Sequence, residues 1–420
     1  MTIVAIEALT FGLNRLADAA AKRGEQLCLL TRDRSVYSYE LSLPQAERIA
    51  IVDVDTFDTQ SVQSATAEID TLRGLLNLTD TWSLLAVDLA DRLGLAVQNP
   101  ASVRIARDKY AMRQRLREAG LSRARSVTLD LDTVHDSAHI RNLTFPIVIK
   151  DRSGTGSINV WIAHDAQQAL RILDDAAAAN PHCRKVVLEP FFSGPMFSAE
   201  SVTWQGHTRV YAIASRILSR EPRFREEAMA VPVRLPGAAA CDIESWIGKV
   251  LDAIGYTHGM SHTEFILTRG GPEVVEINPR AAGGQLTEAV CQAYDYNVLE
   301  AYVDMALGQR PALLDADLVM RRGVCAGFVY AEQTGWFERI DGLQRLTQHP
   351  GDPLWYPTAN NGKRIDHLDD QRASLGLVVA HGETTELAML NVLSVTGKLV
   401  GIMRSDRQGR TRRPSFTGTH

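Results

Sequence analysis

Glu264, Glu276, Asn278 and Arg280 have the side-chain types needed to hold a divalent cation beside a developing negative charge. Glu264 falls in a β-like run at 262–268 and Glu276 in another at 273–277, joined by Arg269-Gly270-Gly271-Pro272, a strong hairpin signal. Opposite positions on paired strands lie close, so the two carboxylates face one another across the ladder. Like charges placed so repel unless a cation sits between them. Hard oxygen ligands suit Mg²⁺, which commonly takes one or two carboxylates plus phosphate oxygens. Asn278 adds a neutral oxygen two residues on, on the same face. Arg280 can reach charge building on a phosphate or a tetrahedral intermediate. A solvent-facing hairpin with hydrated acids would show the same residues, so the pattern needs its neighbours.

Three further segments carry chemistry. Ile147-Val148-Ile149-Lys150 closes an apolar run on a lysine, and Asp151-Arg152-Ser153-Gly154-Thr155-Gly156-Ser157 follows as a small-residue loop. Glycines let backbone N–H groups approach phosphate oxygens while the lysine supplies positive charge. The spacing is not that of a P-loop, and an ordinary hairpin turn is the plain alternative. Lys109, in Arg107-Asp108-Lys109 at the start of a helix, can reach a nucleotide phosphate or sit in a solvated charge run. Glu189 ends an apolar strand and leads into Pro190-Phe191-Phe192-Ser193-Gly194, where backbone groups can meet an adenine edge or a strand end can simply pack in the core. Only seven of the 45 basic residues are lysine, so a lysine at a motif position was not drawn from a lysine-rich background.

The elements that must position these groups follow from periodicity. Residues 2–6, 26–30, 49–54 and 74–78 read as buried strands alternating with helices at 12–23 and 80–94, the latter with Asp80 as its N-cap. That alternation predicts an open, mostly parallel sheet of about a hundred residues. The first loop, 7–12, holds one glycine and no GxGxxG, which speaks against a dinucleotide site and an oxidoreductase. After Pro100 come a charged helix at 107–120, with Gly120 as its C-cap, strands at 126–129, 146–150, 160–163 and 185–189, and a helix at 166–179. Runs at 197–204 and 208–219 pair across Gln205-Gly206, and helices are expected at 242–254, 285–293 and 297–307. From Gly323 a small α+β region is expected, with strands at 324–330, 342–346 and 373–381 and a helix at 384–395, before a basic, polar tail predicted to be disordered.

The totals bound the class. At 420 residues, with 45% hydrophobic and 23% charged residues, the chain suits a soluble protein of two or three domains. A net charge of −5 gives no bulk attraction for nucleic acid or anionic lipid. Cys28, Cys183, Cys241, Cys291 and Cys325 are odd in number and lack a CxxC pair, which argues for a reducing cytosol and a cytoplasmic protein. No apolar run approaches the roughly 20 residues of a membrane helix.

Order and spacing join these segments. Lys109, Lys150, the glycine loop, Glu189, Glu264 and then Glu276-x-Asn278-x-Arg280 resemble the ATP-grasp superfamily over residues 1–405, and within it bacterial L-amino-acid ligases. The resemblance implies a mixed α/β and α+β architecture. It comprises an N-terminal Rossmann-like (preATP-grasp) domain at 1–100, a small ATP-grasp subdomain with the flap at 101–190, a large subdomain with the metal site at 191–322, a biotin-carboxylase-like C-terminal subdomain at 323–405, and the tail at 406–420. It further implies ATP and Mg²⁺, with Mn²⁺ as the alternative ion. Lys109 and Lys150 would contact the phosphates, the loop Ser153, Gly154, Thr155, Gly156 and Ser157 would close over them, and Glu189 with Phe191 and Phe192 would hold adenine. Glu264, Glu276 and Asn278 would bind the metal, Arg280 would stabilise the acyl phosphate, and Glu226 would help bind the substrate amino acid. Met196 stands where many relatives place a ribose-binding acid, with Glu200 the acid nearest to it. Gly283 and Gly284 stand where some amino-acid ligases carry a bulky residue, so a roomier acceptor pocket is expected.

The implied activity joins a small-molecule carboxylate to an amine through an acyl phosphate, releasing ADP and phosphate. The alternative is an ATP-grasp carboxylase or other C–N ligase acting on a small metabolite, which bicarbonate-dependent ADP release would reveal. A non-catalytic nucleotide-binding module is the other rival, and it would have no use for Arg280. Homodimers are common in this class, and no nucleic-acid or membrane partner is expected.

Overall fold

The computed structural model describes residues 1–132, 140–179, 184–235 and 243–405. The expected disordered tail, Cys183 and Cys241 lie outside the described residues.

The first sheet has strands β1 (Thr2–Ile6), β2 (Gln26–Thr31), β3 (Ile49–Asp53) and β4 (Leu72–Leu76) in the order β3-β2-β1-β4, all parallel. Near-continuous apolar runs suit strands covered on both faces. Helix Ser83–Arg92 follows β4, and its N-cap is Trp82 rather than Asp80, with no side-chain cap bond. The Asp80 carboxylate is used elsewhere, on Arg280. Residues 100–107 form a helix of their own, with Pro100 in its first turn and the Asn99 side chain accepting from the Ala101 amide at 2.9 Å.

The second sheet is antiparallel: β5 (Val127–Asp130), β6 (Ile147–Asp151), β7 (Val160–Ala163) and β8 (Lys185–Pro190), in the order β5-β8-β6-β7. The third has eight strands. Five are β9 (Met196–Trp204), β10 (His207–Leu218), β11 (Glu226–Val231), β12 (His258–Thr268) and β13 (Gly271–Asn278). They are continued by β14 (Gly323–Tyr330), β16 (Leu354–Pro357) and β18 (Ser374–Gly382), in the order β13-β12-β9-β10-β11-β14-β18-β16. A last small sheet joins β15 (Gly335–Asp341), β17 (Arg364–Ile365) and β19 (Val400–Arg404). The strand expected at 342–346 is instead a 3₁₀ turn, Leu343–Gln348, entered through Gly342 at φ +99°. Its leucines, Leu343 and Leu346, are three apart, a spacing that puts both on one face of a 3₁₀ turn and would put them on opposite faces of a strand.

One apolar core ties the parallel sheet to the large one. Ile3, Leu13, Leu29, Val202, Met260, Ala281, Val298 and Leu377 belong to the same buried cluster. Contact there is tight: a Cβ on Gly74 would lie 2.8 Å from Ala306. The N-terminal sheet is therefore packed firmly behind the turn that carries Arg280.

Candidate active site

The hairpin β12–β13 pairs Glu264 directly with Glu276 and His262 with Asn278, so both acids and the amide come off one ladder. A register shift lies between Glu264 and Phe265. Each acid already has cationic neighbours. Glu264 lies 3.1 Å from the Arg216 guanidinium and 3.2 Å from His262 Nε2. Glu276 lies 3.3 Å from Lys109 Nζ and 3.9 Å from Arg107. With its amide nitrogen turned toward them, Asn278 donates to Glu276 at 3.1 Å and to both Asp80 oxygens at 3.2 Å. With the amide reversed, its oxygen sits beside the Glu276 carboxylate with no proton between, an arrangement a cation satisfies. Two facing carboxylates and a neutral oxygen form a hard donor set, and they fit Mg²⁺.

Beneath this pair runs a buried charge chain that the sequence did not disclose. Arg216 on β10 pairs with Glu226 on β11 and reaches Glu264 on β12. His262 Nδ1 meets Glu200 at 2.8 Å. Burial works to raise the Glu264 carboxyl, but Arg216, His262 and Arg280 prevail and hold it well below the usual carboxylate range. For His262, burial opposes the charged form, yet Glu200 and Glu264 lift its pKa to about 9. Glu226, in a segment to which the sequence assigned no element, opens a strand; burial raises its pKa against the pull of Arg216. Glu200 is 1% exposed and turned to His262 and Ser198, so it does not take the place left by Met196, which lines the cavity.

The nucleotide side is built as tightly. Lys150 pairs with Glu189 Oε1 across β6 and β8, both residues 4% exposed, and Arg113, fully buried, meets the other carboxylate oxygen, Oε2, at 3.2 Å. Burial lowers the Lys150 pKa more than Glu189 restores it, with Arg113 and Lys109 adding to the fall. Burial works to raise Glu189, but Lys150 and Arg113 hold it down. The Glu189 carboxylate is thus committed to two cations, and an adenine at this point would meet the backbone. Arg113 also lies over the Phe192 ring, 5.2 Å from its centre.

The flap is moored to the lysine-bearing helix, Lys109–Glu118. Asp108 caps that helix, accepting from the Tyr110 and Ala111 amides at 3.1 Å, and binds Arg152 of the loop. Lys109 Nζ donates to the Gly154 carbonyl at 2.6 Å and Arg107 to that of Ser153 at 2.9 Å. Gly156 takes φ +62°.

These groups surround one cavity of about 920 Å³. Lys109, Lys150, Gly154, Thr155, Gly156, Ser157, Glu189, Phe191, Phe192, Glu226, Glu264, Glu276, Asn278, Arg280, Gly283 and Gly284 all line it; Ser153 does not. Its amide turns back to Asp151 at 2.9 Å. A Cβ on Gly283 would meet open space, whereas Gly284 has φ +60° and its Cβ would lie 3.1 Å from Met229. Besides these, the loops after β1 and β2 contribute Thr10, Phe11 and Asp33, and the C-terminal region Phe328, Lys363 and Gln371.

Residues 143–289 match the model of the ATP-grasp domain. The chain has an ATP-grasp domain and the ATP-grasp fold. Residues 327–400 match L-amino acid ligase C-terminal domain 2. A crystal structure of L-amino acid ligase from Bacillus licheniformis superposes with a TM-score of 0.81, at 20% identity, covering 96% of this chain and 99% of that one. The uncharacterized protein y4rH of Sinorhizobium fredii is 25% identical over 81% of this chain and 71% of its own length. Human carnosine synthase 1 is 25% identical over 58% of this chain, and the match spans only 31% of that longer protein. No helix among the described residues is long and apolar enough to cross a membrane.

Proposed function

We propose that this chain is an ATP-dependent ligase that joins the carboxylate of an amino acid, or of a derivative of one, to the amine of a second amino acid. The observation that carries this reading is the direct pairing of Glu264 with Glu276 at the wall of a cavity also lined by Lys109, Lys150 and Arg280. In the first step a carboxylate oxygen bonds to the γ-phosphorus of ATP and the bond to ADP breaks, leaving an acyl phosphate. Lys109 and Lys150 bind the phosphates, and the loop 153–157 excludes water that would hydrolyse the intermediate. Arg280 donates to the oxygens on which charge builds. In the second step the neutral amine attacks the acyl carbon, phosphate leaves, and the nitrogen gives up a proton. Glu264, Glu276 and Asn278 would hold Mg²⁺, which would supply charge neutralisation at the nucleotide phosphates. No nucleophilic side chain is needed, and Cys291 and Cys325 are buried with thiols pushed up to about 12 by that burial.

The substrate class is supported by the matches to L-amino acid ligase and carnosine synthase and by the room left at Gly283. Phosphate release from ATP across a matrix of amino-acid pairs, with mass spectrometry of the products, tests it. The expected product mass is the sum of the two substrates less one water. ADP release that depends on bicarbonate and yields no amide would overturn the reading.

A further inference from the structure

The Asp80 carboxylate does not serve the helix that follows it. Asp80 meets Ser83 only through its backbone carbonyl, at 2.9 Å to the hydroxyl. Its side chain, 6% exposed, is given to Arg280, 200 residues away in the chain: Asp80 Oδ2 accepts from Arg280 Nε at 2.9 Å and also from Nη2. Arg280 Nη1 donates to the Ala281 carbonyl at 2.8 Å. A guanidinium carries five N–H donors, and these bonds leave one on each terminal nitrogen. The grip fixes the plane of the group while keeping two donors for the cavity that Asp80 and Arg280 both line.

The backbone beneath Arg280 is held from the same side. The Pro279 carbonyl accepts from Gln98 at 2.8 Å and from Asn77 at 3.3 Å, and Asn77 donates to the Gln98 side-chain oxygen at 2.8 Å. Gln98 also donates to the Tyr256 hydroxyl at 2.6 Å. Asn77, Asp80 and Gln98 lie in the N-terminal segment, ahead of the first matched ATP-grasp residue. The acids nearest to Arg280 otherwise belong to the hairpin: Glu276 and Glu264 both act on it electrostatically. A guanidinium released from Asp80 would fall onto these carboxylates and cancel the charge a metal ion needs.

We propose that Asp80 is the positioning residue for Arg280, by which the N-terminal domain aims the guanidinium at the reacting phosphoryl and acyl oxygens and keeps it off Glu264 and Glu276. This rests on the reading of Arg280 as the group that faces the acyl phosphate. Asp80 acts through Arg280, from which it accepts two hydrogen bonds; its other neighbours are the Asn278 amide at 3.2 Å and Arg107 at 3.7 Å.

The test compares Asp80→Ala, Asp80→Asn and Asp80→Glu with the wild type, using the amino-acid pair that gives the fastest phosphate release. Asp80→Ala is expected to lower kcat at least thirtyfold while the KM for ATP stays within threefold, and Asp80→Glu is expected to recover at least tenfold of that loss. Asp80→Asn, which keeps the shape and loses the charge, should resemble alanine. A folded Asp80→Ala enzyme with kcat within threefold of wild type overturns the proposal. So does a loss in which KM and thermal stability fall with kcat and glutamate restores nothing, since that marks a merely structural bond. A crystal structure of Asp80→Ala tests the geometric half without turnover: Arg280 turned onto Glu276 supports it, and Arg280 unmoved overturns it. Absence of phosphate release from the wild type with any pair would instead strike the ligase reading itself.

Discussion

Glu189 is the residue whose loss the structure prices most directly. Glu189→Ala strips the shared carboxylate from Lys150 and Arg113, all three of them buried. Removing one partner of a buried ion pair destabilises by about 3–5 kcal/mol, because the other is left charged and dry. Two details place the cost near the lower end. Lys150, already biased by burial toward its neutral form, can shed its proton once Glu189 is gone. Arg113 cannot, but it keeps Glu273 at 3.7 Å and the Val274 carbonyl at 2.5 Å. The expected loss is about 3 kcal/mol, or roughly 6–12 °C in Tm at ~2–4 °C per kcal/mol. Thermal unfolding followed by circular dichroism reads it. Pairing Glu189→Leu with Lys150→Met should cost less than the two single changes added together, since no lone charge then remains at that pair. A single-variant loss below about 1 kcal/mol, or strict additivity in the double variant, would refute the reasoning.

Other outcomes follow from the same geometry. Arg280→Ala and Glu276→Ala should each lower the rate of amide formation by ~10²-fold or more in a coupled phosphate assay, the scale of one positioned charge stabiliser; activity close to wild type would remove their roles. His262, with its pKa raised to about 9, adds stability that is fully present below its ordinary value near 6.5 and is lost as pH rises through 9. Urea unfolding of the metal-free protein between pH 6 and 10 should show that decline, and His262→Gln should flatten it. Gly283→Trp places a ring in the cavity without the positive φ that a side chain at Gly284 would have to adopt; competition assays should show it favouring small amines over bulky ones, and an unchanged preference would move the acceptor pocket elsewhere.

What the sequence disclosed was local. The hairpin acids could be read because a glycine-proline turn fixes which positions face each other over a dozen residues. Lys150 and its loop showed for the same reason. Long-range partners were hidden. Asp80 fits a helix N-cap by type and place, and nothing near it in the chain points to Arg280. Arg113, Arg216 and His262 carry no motif; they acquire meaning only when β8, β11 and β12 bring Glu189, Glu226 and Glu264 to them. Glu226 fell outside every expected strand because β11 follows an irregular stretch, 219–225, in which no alternation is visible. The strands β15, β16 and β19 were missed: β16 and β19 are sheet edges of four and five residues, too short to show a period, and β15, between β17 and β19, mixes apolar with charged residues.

The central claim is that a substrate carboxylate takes the γ-phosphoryl group of ATP beside Glu264, Glu276 and Arg280 before an amine displaces it. Carrying out the reaction with an amino-acid donor labelled with ¹⁸O in its carboxylate, and weighing the phosphate released, tests that step directly. One labelled oxygen should appear in the phosphate for each amide formed. Amide formation with unlabelled phosphate would contradict the account.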